Sequence, residues 1–213
     1  ILEGGPAAAW LGAMPDFALA ALFAVAWARP ELLPPAKIRL PLGSMLRADV
    51  DVLNATNFYT PNLFGLWVAQ DLSDPSHYST FLLQGGLGMP DRDFYLNPSA
   101  RLVAIRAAYK AYIGEMLKLA GIADAEAKAG RIFDLELRIA EVHASRVESE
   151  EVIKGNNRWP RADFDRRARG LDWAAYFAAA GLAGQKEFIV WHPAALTGIS
   201  ALVGKVPLAT WKE

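Results

Sequence analysis

Two long apolar stripes at helical spacing follow each other directly in this sequence, and they set the strongest limit on its fold. The first begins after Asn97–Pro98, where a capping residue precedes a proline, and ends before Gly121. The second covers residues 124–147, after the short link AGIAD. Such a link predicts an antiparallel helical pair. The apolar positions are Leu102, Ile105, Tyr109, Tyr112, Ile113, Met116 and Leu117 in the first stripe and Ile132, Leu135, Ile139 and Val142 in the second.

Shorter elements are predicted around this pair. Asp74–Pro75 starts a helix of about three turns that ends at Gly85. The stretch EFIVWH indicates a strand, and residues 57–70 are compatible with a short helix or a strand. Further helices are expected over LDWAAYFAAAGL up to Gly181, behind Pro193 and behind Pro207. The predicted class is mainly α: a multi-helix domain with antiparallel long helices and at most one or two short strands.

The N-terminal part of the chain differs from the rest. Residues 28–44 contain four prolines and predict an extended connector. We therefore divide the chain into an apolar, proline-rich segment over residues 1–43 and a helical domain over residues 44–213, whose first helix is capped by Ser44. Residues 7–28 are strongly apolar, but Pro15 and Asp16 leave only 12 uninterrupted residues, where a membrane span needs about 20. This favours a buried or partner-covered helix over a membrane segment.

The two ends suggest a piece of a longer protein. The chain begins with Ile1 rather than methionine, and Pro207 opens a helix only six residues before the last residue, Glu213. We interpret the chain as a fragment that is truncated at its C-terminus.

Composition excludes several classes of partner and site. The 22 basic and 23 acidic residues are mixed along the chain and give a net charge of -1, so no electrostatic footprint for nucleic acid or for an anionic membrane is present. The absence of cysteine excludes disulfides and thiolate metal sites. A hydrophobic content of 53% is that of a globular protein that folds by burial.

The stretch LLQGGLGMPDRDFYL, residues 82–96, first suggests a phosphate-binding loop. Its glycines give GGxG, however, which matches neither GxGxxG nor GxxxxGK[ST], and no βαβ pattern surrounds them. Asp91 and Asp93 next suggest paired catalytic carboxylates, but residues this close rarely point at one substrate atom. A first helical turn behind Pro90 is the stronger interpretation, with both aspartates near free backbone N–H groups and Arg92 paired with an acid or bonded to a carbonyl.

No other pattern in the sequence identifies a catalytic or metal-binding residue. His77, His143 and His192 are far apart, and no HExxH motif is present. We expect His143 to be solvated or hydrogen-bonded at a helix edge and His192 to close a strand. The serines lack a GxSxG nucleophile motif, and the stripe Trp173, Tyr176 and Phe177 is expected to be core.

Several spaced blocks nevertheless resemble one family. LLQGGLGMPDRDFYL, the following NPSARLVAIRAAYKAYIGEMLKLAG, and then RIFDLELRIAEVHASRVESEEVIKGNN are similar to the non-catalytic half of neprilysin-like zinc metallopeptidases, the family of endothelin-converting enzymes and bacterial oligopeptidases. The resemblance covers roughly residues 44–213. The signature residues, expected to be structural, are Gly85, Gly86, Gly88, Pro90, Asp91, Arg92, Asp93 and Tyr95.

The resemblance implies that this chain surrounds the catalytic site and contributes no catalytic residue. In this family a helical domain from this half caps a zinc-containing catalytic domain, and the two enclose a chamber that admits peptides. The zinc would lie in the missing C-terminal half, so no cofactor is expected in this chain. Its expected partners are that catalytic domain and a peptide substrate, and an exported location is expected. The alternative is a stand-alone helical module that binds peptides or proteins without catalysis.

Overall fold

The computed structural model describes residues 62–213, in which helices cover one face of a small mixed sheet. The strands are β1 (Phe64–Gln70), β2 (Tyr78–Gln84), β3 (Arg158–Pro160) and β4 (Glu187–Val190). The helices are α1 (Asp93–Leu96), α2 (Ala100–Leu119), α3 (Ala125–Val142), α4 (Arg146–Ser149), α5 (Val152–Gly155), α6 (Phe164–Arg167), α7 (Trp173–Ala179), α8 (Pro193–Lys205) and α9 (Leu208–Trp211).

The long helices α2 and α3 form the predicted antiparallel pair. Lys118 near the end of α2 bonds Glu126 at the start of α3 at 2.5 Å, while Tyr109 lies against Phe133 farther along. The prediction was wrong about where α3 ends: it stops at Val142 and not at 147. The backbone becomes extended at His143, because this side chain turns into the interior, and a capping box between Ser145 and Glu148 then starts α4.

The sheet has the strand order β1-β2-β4-β3, with β2 and β4 parallel and the outer pairs antiparallel. The described residues are mainly helical, which confirms the predicted class, although four strands are present and not one or two.

The predicted helix over residues 74–85 was wrong, since its apolar part is strand β2. Phe81 and Leu83 lie on one face of the sheet and Leu82 on the other, and all three are buried. An interior strand that is buried on both faces presents a continuous apolar run, which periodicity does not separate from a buried helix. Asp74 instead closes a tight turn, in which its carboxylate accepts a hydrogen bond from the Ser76 backbone N–H at 3.1 Å.

Two clusters of buried side chains lie on the two faces of the sheet. The larger one joins Phe64, Leu82 and Phe188 to α3, α7 and α8, and it contains Trp173, Tyr176 and Phe177, as expected. The smaller one contains Phe81, Leu83, Ile189 and Trp191, with Trp67 packed against it.

The remaining predictions along the chain have mixed outcomes. The strand before His192 and the helices behind Pro193 and Pro207 are confirmed, as is the helix over LDWAAYFAAAGL. Strand β1 settles the undecided stretch from Phe64 onward. The segment 1–43 and the helix capped by Ser44 lie outside the described residues, and the division at residue 44 stays a prediction. Between residues 62 and 213, no helix is long and apolar enough to cross a membrane.

Gly170 provides a test of the packing between the α6–α7 loop and α8. Its φ of 126° favours glycine, and an added Cβ would collide with the carbonyl oxygen of Ser200. We expect Gly170→Ala to lower the free energy of unfolding by about 2 kcal/mol or more, from strain and overpacking together. Gly184→Ala is the matched control, because nothing lies within 4 Å of its added Cβ. Urea denaturation measures both, and equal stability of the two variants would contradict this packing.

Candidate functional site

The signature residues form a turn that leaves the end of β2 and enters α1. Gly86 has a φ of 84°, a left-handed conformation that favours glycine, and an added Cβ would lie 2.9 Å from Leu63 Cδ2. The backbone of Gly88 passes so close to the Tyr109 hydroxyl that no Cβ fits. Both glycines therefore allow the chain to fold back against its neighbours.

Asp91 and Asp93 occupy the first turn behind Pro90 and do not converge on a shared atom. The Asp91 carboxylate accepts a hydrogen bond from the Asp93 backbone N–H at 2.8 Å, which is the predicted stabilisation of a turn. Asp93 is exposed as the first residue of α1. Of the two partners predicted for Arg92, the structure has the carbonyl: its Nη1 donates to the backbone oxygen of His143 at 2.8 Å.

A partly buried carboxylate anchors the other end of the turn. Glu136 on α3 accepts hydrogen bonds from the hydroxyls of Tyr95 at 2.7 Å and Tyr109 at 3.1 Å. The Tyr95 hydroxyl in turn accepts from the backbone N–H of Met89 at 3.0 Å. Tyr95, the last signature residue, thus joins the turn to α3 through one oxygen atom.

This arrangement changes the acidity of both partners. Burial raises the pKa of Glu136 above its usual range, although the hydrogen bonds from Tyr95 and Tyr109 act in the opposite direction. Burial, followed by the neighbouring Glu136 carboxylate, also raises the pKa of Tyr95 well above its usual value. At neutral pH the tyrosine is therefore a hydrogen-bond donor.

Two buried histidines hold the start of the turn. His143 Nε2 lies 2.9 Å from the carbonyl oxygen of Gly85, and since a carbonyl only accepts, this nitrogen carries a proton. His192 Nδ1 accepts from the backbone N–H of Gln84 at 3.2 Å, so its proton is on Nε2, which donates to the Ser149 hydroxyl at 3.0 Å. The two rings thus form hydrogen bonds with the backbone of two neighbouring residues, Gln84 and Gly85.

Both histidines are neutral in this environment. Burial lowers the pKa of His143 to about 4, with a smaller contribution from the Arg92 guanidinium and against the opposing effect of the hydrogen bond to Gly85. Burial and the nearby His143 also lower the pKa of His192 to about 4 against the opposing effect of Glu148. His143 was expected to be solvated or hydrogen-bonded, and it is hydrogen-bonded and only 7% exposed.

The side chain of Gln84 completes this contact. Its Nε2 donates to the carbonyl of Ala144 at 3.1 Å, and its Oε1 accepts from the Ala144 N–H at 2.7 Å. The amide therefore pairs with the backbone directly after His143. We call the set Gln84, Gly85, His143, Ala144 and His192 the clamp.

The clamp borders a cleft of about 740 Å³ between the sheet and α4. Trp67, Leu72, Val152 and Trp191 give it an apolar wall, and Arg146 and Glu150 bring charges to its lining. Its chemistry suits contact with an apolar side chain more than catalysis, because the polar groups of the clamp are engaged with the chain itself.

The described residues do not fit a metal centre. From residue 62 onward, no three histidine, aspartate or glutamate side chains come together as metal ligands. In addition, His143 uses Nε2 on Gly85 and His192 uses Nδ1 on Gln84. His77 is exposed and bonds Asp74 at 2.7 Å, away from the clamp.

Sequence reasoning did not identify the clamp. The sequence patterns treat His143 and His192 as separate residues, and no catalytic or metal-binding motif includes Gln84 or Ser149. The bonds that define the clamp join positions 58 and 108 residues apart, so no local spacing marks them. The local sign of this contact is that Gln84 lies within LLQGGLGMPDRDFYL, the block that resembles the family.

Comparisons with known proteins match the chain to one protein family. The model for the N-terminal region of Peptidase family M13 matches residues 46–213. Mouse (Mus musculus) endothelin-converting enzyme-like 1 is 35% identical over 113 residues, which are 52% of this chain and 15% of that protein. The chain thus spans a small part of the curated relative it resembles.

Solved structures show the same fold. The open state of the Mycobacterium tuberculosis zinc metalloprotease ZMP1 superposes with a TM-score of 0.73 and 25% identity, over 91% of this chain and 29% of that one. PepO from Lactobacillus rhamnosis HN001 shares the fold with a TM-score of 0.56 and 19% identity, over 91% of this chain and 32% of that one.

Tyr95→Phe tests the anchor at Glu136. Removal of this hydroxyl leaves the Met89 N–H and one carboxylate oxygen of Glu136 without their partner, so we expect a loss of about 1–3 kcal/mol in the free energy of unfolding. Tyr112→Phe is the matched control, because Tyr112 is 58% exposed. Chemical denaturation measures both changes, and a Tyr95→Phe protein as stable as the control would refute the anchor.

Proposed function

We propose that this chain, which belongs to Peptidase family M13, supplies the helical, non-catalytic part of a zinc-dependent metallopeptidase. The observation that carries the proposal is the match of residues 46–213 to the N-terminal region of the family. The superposition on the zinc metalloprotease ZMP1, of which the chain covers 29%, supports it.

In this proposal the active enzyme divides its tasks between two parts. A C-terminal catalytic domain, outside this chain, binds the zinc ion that activates water for attack on a peptide bond. The domain over residues 44–213 forms a wall of the chamber and limits the size of the substrates that enter. The chain alone is inactive, its partners are the catalytic domain and a peptide, and the enzyme is exported.

The geometry of the signature residues supports a structural role for them. Gly86 and Gly88 allow the close turn, and Arg92 and Tyr95 bond it to the end and to the middle of α3. Fixed in this way, the turn holds the sheet in one position against the long helices. A chamber wall needs this property, because it excludes large substrates only while it keeps its shape.

A comparison of the 213-residue chain with the protein encoded by the complete reading frame tests the proposal. We expect the purified 213-residue chain to contain no stoichiometric zinc and to leave a quenched fluorescent peptide of about ten residues intact. The protein encoded by the complete reading frame should bind one zinc ion, cleave the peptide and leave a folded protein substrate intact. Mass spectrometry for metals and a fluorescence assay, with a zinc chelator as control, measure these quantities.

Two outcomes would contradict the division of tasks. One is chelator-sensitive cleavage by the 213-residue chain itself. The other is a reading frame that ends at residue 213, together with peptide binding by the chain in calorimetry, which would support the stand-alone binding module.

A further inference from the structure

The clamp works only while both of its histidines are neutral. His192 accepts the backbone N–H of Gln84 on Nδ1, and a proton on this nitrogen would direct two N–H groups at each other. His143 donates from Nε2 to Gly85 in either protonation state, but a second proton on Nδ1 would give its buried ring a positive charge beside Arg92, and this cost outweighs the favourable bond to Gly85. Both rings line the same cleft, and a charge on one disfavours a charge on the other.

The charged residues around the two histidines do not offset the cost of protonating them. The signature turn brings Asp91 and Arg92 to the cleft, and the segment around α4 brings Arg146 and Glu150. Glu148 on α4 favours a protonated His192, but its carboxylate already accepts two hydrogen bonds from Ser145 at 2.8 Å. Trp67 on β1 and Trp191 after β4 contribute no charge, and α8 has no ionisable residue before Lys205.

We infer that His143 and His192 form an acid-sensitive latch, in which protonation of either ring releases Gln84 and Gly85 from the ends of α3 and β4 and opens the cleft. The inference concerns the conformation of this chain and does not depend on the proposed function. Histidines that are buried in the neutral form are suited to this task, because acidification in the range where free imidazole titrates acts directly on them.

The direction of the effect follows from proton binding. The pKa of each ring is about 4 in the closed structure and near 6.5 when the ring is in water. The open form therefore binds more protons between these values, and acid favours it. The contribution of the latch is complete above pH 6.5 and is lost as the pH falls toward 4.

Hydrogen exchange of the 213-residue chain at pH 7.5 and pH 5.0 tests the latch, after correction for intrinsic exchange rates. We expect the protection of residues 82–92 and 143–150 to fall on the order of tenfold or more at pH 5.0 for each histidine that becomes protonated. Residues 100–119 of α2 should keep their protection, since they lie outside the clamp.

Two substitutions remove the titration and keep a polar partner. His143→Gln retains a donor for the Gly85 carbonyl, and His192→Asn retains an acceptor for the Gln84 N–H. The double variant should have the same protection at both pH values. His77→Gln is the control, because this exposed ring lies outside the clamp, and it should behave like the unmodified chain.

A fall in protection that is equal in the double variant and the unmodified chain would overturn the latch, and so would an unmodified chain that is indifferent to pH. If the double variant is already open at pH 7.5, the ring signals of His143 and His192 in NMR spectra of the unmodified chain decide the question. The latch requires their protonation to coincide with the loss of protection, and protonation without opening refutes it.

Discussion

The hydrogen bonds of Gln84 and Gly85 are the contact on which the arrangement of the described structure depends. Strand β2, in the interior of the sheet, ends here and the signature turn begins. The end of α3 reaches this point through His143 and Ala144, and the end of β4 reaches it through His192. Since these bonds are buried or partly buried, each lost partner leaves a polar group without water, and the network is stable only when it is complete.

A buried carboxylate connects strands at the opposite end of the sheet. Asp71, which is 4% exposed, accepts hydrogen bonds from the Ser79 hydroxyl and from the guanidinium of Arg158 on β3. The bond from Ser79, followed by that from the Ser73 N–H, holds the pKa of Asp71 well below its usual range. The carboxylate is thereby ionised at neutral pH, and it joins the β1–β2 hairpin to the opposite edge of the sheet.

Prediction from the sequence succeeded where structure is determined locally. The apolar stripes of α2 and α3, and the proline and glycine that bound α8 and α7, are signals of a few residues each. It failed at β2, because a strand that is buried on both faces does not alternate apolar and polar residues. It also failed at the end of α3, because the turn of His143 into the interior depends on distant Gly85. The family was recognisable because its blocks keep their order, whereas the clamp exists only in three dimensions.

The chemistry of the site favours positioning over catalysis. Glu136, Arg92, His143 and His192 are residue types that catalyse reactions in other proteins. Here their polar atoms bond the backbone, a tyrosine or a serine of the same chain. A catalytic group must instead direct its polar atom at a substrate. The ionisable residues of the signature region thus set the shape of the turn, and the same bonds make that shape sensitive to protonation. Rigidity at neutral pH and release in acid are two consequences of one buried network.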